Sequence, residues 1–201
     1  MTLANYTDLL AAVQDWLGDR TDLVAKIPDF ITLTEADLNN RDTFRLRDME
    51  SSTALTPTSG VCTLPADFLE LRSVTLNTSP ARALTLADHG YVTREFDTTA
   101  DEAEVYTISG SSLTLYPNDG TTITLKYYAK IPALATTNWL MTKAPNVYLY
   151  GTCLHAARWA TDQEQEARFT PLYEQAVLKL ENADKGARWP RYTQNRILVR
   201  P

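Results

Sequence analysis

The sequence contains few of the residues and motifs on which enzymes most often rely. Only two of its 201 residues are histidines, His89 and His155. Little material is therefore present for acid–base catalysis near neutral pH, where histidine is the usual proton carrier. The chain also has no glycine-rich phosphate loop, no nucleophile elbow and no zinc-protease helix motif, each of which marks a common catalytic site. We therefore expect a protein that is not an enzyme and that has no cofactor.

Residues that bind metal ions are equally scarce. The two cysteines, Cys62 and Cys153, lie in different kinds of segment, and we expect buried thiols rather than a disulfide. Cys153 and His155 come closest to a metal site, but residues two apart on a helix point about 200° away from each other. The acidic residues at 97–104 lack the alternating spacing and the central glycine of a calcium loop. The sequence therefore predicts no metal site.

The chain lacks the long apolar run of a membrane span. Its N-terminal stretch, MTLANYTDLLAAVQDWLG, has no basic start, and Asp8 and Asp15 interrupt its apolar residues. This pattern predicts neither a signal peptide nor a transmembrane helix. We expect a protein that matures in the cytoplasm where it is made and that has no membrane partner.

Both ends of the chain have the periodicity of helices. Apolar residues recur every three to four positions through residues 1–40 and again from about 145 to 185. Pro145 suits the first turn of a helix that runs to about residue 160 and has no clearly polar face, which is typical of a buried helix. Thr161 and Glu164 have the spacing of a capping box at the start of the next helix. Pro171 is expected to kink or divide that helix.

The middle of the chain has the period of two that is typical of strands. In TTITLKYYAKI, apolar residues alternate with polar ones, which predicts a sheet with one wet face on which Tyr128 is exposed. A parity change predicts a β-bulge near Ser73. Turn residues at 57–60 predict a hairpin. Turns at Gly110 and at 118–120 predict an antiparallel meander of three strands over 104–131.

Helices at both ends with strands between them predict an α+β fold. The economical arrangement packs the N- and C-terminal helices, residues 1–49 and 136–185, as one helical bundle. Residues 50–135 then form an inserted antiparallel β domain. Residues 186–201 have no apolar periodicity, and we expect them to form an extended C-terminal tail.

The tail differs from the rest of the chain in charge. Residues 185–201 contain one lysine, four arginines and no acid, although the whole chain has a net charge of −6. The candidate interface residues are Arg188, Trp189, Arg191, Tyr192, Arg196, Ile197, Leu198, Val199 and Arg200. The tail could be a solvated chain end, a nucleic-acid-binding arm or a docking arm that becomes ordered on a protein partner. The acidic remainder of the chain would repel nucleic acid, and arginine and aromatic residues are favoured anchors of protein interfaces, so we favour docking on a protein.

Two other functions are compatible with these residues. A β module with helical support could bind a ligand or a carbohydrate through an exposed Tyr128 and the loop at 88–104. A DNA-binding regulator could use the basic tail to contact phosphates.

Several segments together resemble the head-to-tail adaptor (connector) proteins of tailed bacteriophages and gene transfer agents. They occur in order over nearly the whole chain. The segments are YTDLLAAVQDWLGDRTDLVAKIPDFITLTEADLNNR, TLPADFLELRSVTLN, LTLYPNDGTTITLKYYAKIPAL, TNWLMTKAPNVYLYGTCLHAARW and FTPLYEQAVLKLENAD.

The resemblance implies a structural virion protein at the head–tail junction, assembled in the host bacterial cytoplasm. It implies a ring of identical copies, a dodecamer, that lies beneath the portal protein, binds tail, nozzle or fibre proteins and lets DNA pass without sequence-specific binding. It also implies that the C-terminal segment follows the portal or a neighbouring copy. No catalytic residue follows from it. An acidic wall would suit a DNA conduit, because a wall that neutralised phosphates would hold the genome.

Overall fold

The computed structural model describes residues 3–18, 20–96 and 101–188. The chain divides into two compact units, of which one comprises residues up to Asp48 and from Ile131 onward, and the other is Met49–Lys130. The first unit is built from helices and the second mainly from strands, which confirms the predicted α+β class. We call them the helical unit and the β unit.

The helices and strands alternate in blocks along the chain. The helices are α1 (Tyr6–Trp16), α2 (Ile27–Asn40), α3 (His89–Glu95), α4 (Trp139–Lys143), α5 (Pro145–Trp159) and α6 (Gln163–Arg188), with short 3-10 turns at Val24–Lys26 and Arg47–Met49. The strands are β1 (Glu50–Leu55), β2 (Val61–Thr63), β3 (Phe68–Leu76), β4 (Arg82–Leu86), β5 (Val105–Ser109), β6 (Ser112–Tyr116) and β7 (Ile123–Ala129).

Helix α5 is the central element of the helical unit, in agreement with its lack of a polar face. It packs against α1, α2 and α6. Gly151 allows the closest approach, because an added Cβ there would lie 2.5 Å from Cγ2 of Thr34 on α2 and 2.9 Å from Cε2 of Tyr173 on α6. Trp159 departs from the predicted burial and is 54% exposed, since it is the last residue of α5 and lies at the end of the packed region.

Helix α6 differs from the sequence prediction at its start. It remains one α-helix through Pro171, so the proline does not divide it, and the kink stays a prediction. Its N-terminus is capped by Asp162, whose Oδ1 accepts a hydrogen bond from the amide of Gln165 at 3.1 Å. Thr161 cannot be the cap, because its φ of 57° is left-handed whereas an N-cap residue is extended.

The strands of the β unit form one curled sheet. Their order is β1-β7-β3-β4-β5-β6-β2, and every neighbouring pair is antiparallel except β4 with β5. Strands β1 and β2 lie at opposite edges of this order, yet only residues 56–60 connect them. A connection of that length spans at most about 20 Å. The two edges therefore approach each other, and the sheet surrounds its own core.

All seven strands contribute apolar side chains to that core. The buried strand residues that make up this core are Cys62, Val74, Leu76, Leu84, Tyr106, Leu113, Leu115, Ile123, Leu125 and Tyr127, and Leu55 of β1 packs against them. The bulge predicted near Ser73 is confirmed, because the register of β3 on β7 shifts between Leu71 and Ser73.

Two predicted strand pairings are wrong. The turn at 57–60 closes only an isolated antiparallel bridge between Thr58 and Val61. Strands β1 and β2 on its two sides do not pair with each other, because β1 pairs with β7 and β2 pairs with β6. Strands β5 and β6 do form a hairpin, but β7 leaves the predicted meander and pairs with β1 and β3. Periodicity identifies a strand and its buried face, whereas closure of the curled sheet selects its partner.

Candidate docking site at the end of the last helix

The predicted interface residues begin where the last helix ends. Arg188 is the final residue of α6, and nothing is described of its side chain. The other eight, between residues 189 and 200, lie outside the described residues. The geometry that can be examined is therefore the last part of α6, which carries the basic segment.

Two buried carboxylates hold the last turns of α6. Asp184 is only 3% exposed, and its Oδ1 accepts hydrogen bonds from the backbone amide and from Nε of Arg47, both at 3.2 Å. One turn earlier, Oε1 of the buried Glu181 accepts a hydrogen bond from the Thr43 hydroxyl at 2.9 Å. A buried charge needs such partners, because leaving water is costly for it. These contacts hold the last turns of α6 against residues 43–47.

A second ion pair continues this row of contacts between residues 41–47 and α6, here called the contact line, toward the middle of the helix. Arg41 donates to both carboxylate oxygens of Glu174, at 2.9 and 2.6 Å. This contact with the guanidinium lowers the pKa of Glu174. Because seven residues are almost two full turns of a helix, Glu174 and Glu181 lie on one face of α6. Residues 41–47 therefore run beside that face.

Tyrosine and aspartate side chains reinforce this line between α2 and α6. The hydroxyl of Tyr173 donates to Oδ2 of Asp37 at 2.7 Å, and Nε of Arg41 donates to the same oxygen at 3.2 Å. The Arg41 guanidinium also lies over the Tyr173 ring, 5.1 Å from its centroid. Burial raises the pKa of Tyr173, so its hydroxyl keeps its proton and remains a donor to Asp37.

Sequence reasoning missed this contact line. The charged run at 40–50 has no apolar period, so the sequence predicts only a boundary between segments there. The signal was the seven-residue spacing of the acids on α6 together with arginines in an otherwise aperiodic run. Pairing the two required knowing that α2 and α6 are neighbours, which periodicity does not show.

A second buried network holds the segment through which the chain enters the helical unit after the β unit. Oε1 of Glu35, which is 8% exposed, accepts hydrogen bonds from the Leu134 amide at 2.8 Å and from the Tyr148 hydroxyl at 2.9 Å. One turn along α2, Oδ1 of Asn39 accepts a hydrogen bond from the Ile131 amide at 3.0 Å. Burial raises the pKa of Glu35.

The remaining candidate groups have surroundings typical of a core. Burial raises the pKa of the Cys153 thiol to about 12 and lowers that of His155. In the described ranges, no three histidine, cysteine or acidic side chains come together as metal ligands would. Nor is any described helix both long and apolar enough to cross a bilayer.

The aromatic contact expected for a ligand-binding β module is not available. Tyr128 was predicted to be exposed, but it is buried, with 8% of its surface accessible. The guanidinium of Arg72 lies 5.6 Å from its ring centroid and pairs with Glu50. This ion pair covers the wet side of the sheet at Tyr128, which the alternation of the strand could not show.

Comparison with known proteins identifies a family. No curated protein sequence matches the chain significantly. The model of the SU10 adaptor protein family matches residues 4–197, which include all the helices and strands described above and most of the basic segment. The chain therefore belongs to the SU10 adaptor protein family, a family of phage head-to-tail adaptors.

Proposed function

We propose that this structural protein forms a ring beneath the portal at the head–tail junction of the virion, where it conducts DNA and receives tail proteins. The observation that carries the proposal is the family match over residues 4–197. Membership of a head-to-tail adaptor family implies contact with portal and tail proteins in general. A dodecamer assembled in the host cytoplasm is the form that the resemblance implies.

We propose that each part of the chain has its own role in the assembly. Residues 1–49 and 136–185 would act as the helical bundle, residues 50–135 as the β domain and residues 186–201 as the docking tail. The proposed anchors of the tail are the nine interface residues that begin with Arg188. The contacts of Glu181 and Asp184 support this role, because a fixed base lowers the entropy that an arm loses when it docks.

The charge of the chain supports docking on protein and free passage of DNA. The net charge is −6 for the whole chain, and residues 185–201 contain five basic residues and no acid, so residues 1–184 carry −11. A wall of that sign would repel phosphates and let the genome slide. The cations of the tail would then serve an interface with protein rather than with DNA.

Native mass spectrometry and electron microscopy of the chain mixed with its portal protein test the proposal. The full chain should form a ring on the portal, and a chain that ends at Arg188 should lose that attachment. A variant with Arg191, Arg196 and Arg200 changed to lysine is the control, since it keeps the charge. Docking through the tail is refuted if ring and attachment survive deletion of residues 189–201 and also survive charge reversal of Arg188, Arg191, Arg196 and Arg200. Loss of DNA binding without loss of attachment would favour the regulator instead.

A further inference from the structure

The β unit has an open sheet edge beside β5. Strand β4 pairs with β5 in parallel at only two positions, Thr85 with Val105 and Leu86 with Tyr106. The last hydrogen bond of this ladder runs from the Ala87 amide to the Tyr106 carbonyl at 2.9 Å. In the part of the chain that the structure describes, no strand continues the ladder past this point. Strand β5 itself continues to Ser109.

The backbone of Ile108 points to this open edge. The amide and carbonyl of alternate residues point to the same edge of a strand. Since the Tyr106 carbonyl binds Ala87 on this edge, the backbone groups of Ile108 are the next ones available on it. Thr107 and Ser109 point the other way, toward their partners Thr114 and Ser112 on β6.

An open groove of about 640 Å³ lies along this edge. Its walls are Leu86, Ala87, Asp88 and His89 on one side and Thr107, Ile108 and Ser109 on the other. Leu86 has the parity of the buried Leu84 and therefore belongs to the core face, but it is 60% exposed because the core ends there. The groove thus offers an unpaired backbone and an apolar side chain together, which are the two features that an added β-strand uses.

The charge of the β unit selects a basic occupant. Residues 49–130 contain ten acidic and five basic residues, and Asp88 lies on the groove wall. Residues 189–201 contain three arginines and no acid. Within them, the run RILVR places Ile197 and Val199 on one face of an extended strand and its two arginines with Leu198 on the other.

We propose that this groove binds the C-terminal segment of a second copy of the chain, with residues 196–200 added to the sheet beside β5. This assignment rests on the proposed docking role of the tail and names the surface that receives it. Ile197 and Val199 cover Leu86 and Ile108, and one of the flanking arginines lies near Asp88. In a ring, each copy would then hold its neighbour by a strand.

Binding of a fluorescent peptide of residues 189–201 to a chain that ends at Arg188 tests the assignment. Ile108→Pro removes the amide that faces the open edge, and proline is tolerated in a strand where its nitrogen faces solvent. Ile108→Ala is its control for loss of the side chain. We expect Ile108→Pro to bind the peptide about tenfold more weakly than Ile108→Ala. The proline removes one backbone hydrogen bond to the added strand, and its ring occupies space that this strand would need. Equal affinities would overturn the assignment.

Two exposed positions give a test that does not depend on the fold of β5. Leu86→Asn should weaken peptide binding about tenfold because an apolar contact is lost, whereas Leu86→Met should bind as the parent does. Asp88→Asn keeps the cap of α3 but removes the charge, and it should lower the affinity severalfold at low salt and less at high salt. A peptide with Ile197→Asn and Val199→Asn should not bind. Full affinity of Leu86→Asn or of this peptide would refute the proposal.

The full chain shows which copy fills the groove. Dilute full chain should bind the peptide as the shortened chain does and should exclude it only as chain concentration rises. Exclusion at every concentration would mean that each copy fills its own groove, and the assignment to a second copy would be wrong. If the groove variants attach normally to the portal while deletion of residues 189–201 abolishes attachment, the groove assignment fails and the docking proposal stands. If deletion of residues 189–201 changes nothing, the docking proposal itself fails.

Discussion

Replacing Glu35 should separate its role as a hydrogen-bond acceptor from the cost of its charge. Two buried donors, the Leu134 amide and the Tyr148 hydroxyl, share Oε1 of this residue. Glu35→Ala leaves both without an acceptor, and each unsatisfied donor costs about 1–3 kcal/mol. A total near 3 kcal/mol corresponds to a fall in Tm of about 6–12 °C for a chain of this size.

Glu35→Gln keeps an oxygen that can accept both hydrogen bonds and removes the charge. Burial raises the pKa of Glu35, so the folded state favours the protonated carboxyl. The stability gained from protonation is complete below the unfolded pKa and is lost as pH rises through the folded pKa. The parent should therefore lose stability relative to Glu35→Gln as pH rises from about 4, and at pH 7 the glutamine variant should be at least as stable.

Thermal unfolding followed by circular dichroism at several pH values from 4 to 8 measures both effects. The control is Phe44→Leu, which removes buried apolar volume in the same helical unit without changing a titratable group. It should shift Tm equally at every pH. The reasoning is refuted if Glu35→Ala melts within about 2 °C of the parent. It is also refuted if Glu35→Gln is as unstable as Glu35→Ala.

Two further substitutions test the packing around α6. Gly151→Ala should destabilise the helical unit by about 1–3 kcal/mol, because the new Cβ meets Thr34 and Tyr173. Adding Thr34→Ala should restore part of this loss. Urea unfolding measures both variants, and an unchanged midpoint for Gly151→Ala would contradict the close approach. Asp184→Ala should lower the free energy of unfolding by about 1–3 kcal/mol and should increase hydrogen exchange in the last turns of α6. Asp184→Asn keeps an acceptor for Arg47 and should lower the free energy of unfolding by less. Equal exchange in the parent and in Asp184→Ala would show that this contact does not hold the helix end.

Elements whose evidence is local could be predicted from the sequence. The period of the apolar residues identified α5, α6 and β7, and a parity change located the bulge at Ser73. The α+β class followed from the order of these periods. The family was also correctly recognised, because its resemblance is spread over the same ordered elements.

Features that depend on distant residues could not be predicted. The partner of β7 is chosen by closure of the sheet, and the buried Tyr128 lies beneath Arg72, which pairs with Glu50 on another strand. The contacts of Asp184 and Glu181 join residues far apart in the chain. The role of the basic tail stays a prediction, because its residues from 189 onward lie outside the described ranges.

The placement of the β unit within the helical unit's sequence determines when this chain can fold during synthesis. Helix α2 packs against α5, and β1 pairs with β7, so both units remain incomplete until the chain has grown well past its middle. Contacts between such distant residues slow folding, because the intervening chain must be closed first. The apolar faces of α1 and α2 therefore leave the ribosome long before their partners. Neither unit can complete its core before its last packing partner, α6 in the helical unit and β7 in the β unit, has left the ribosome.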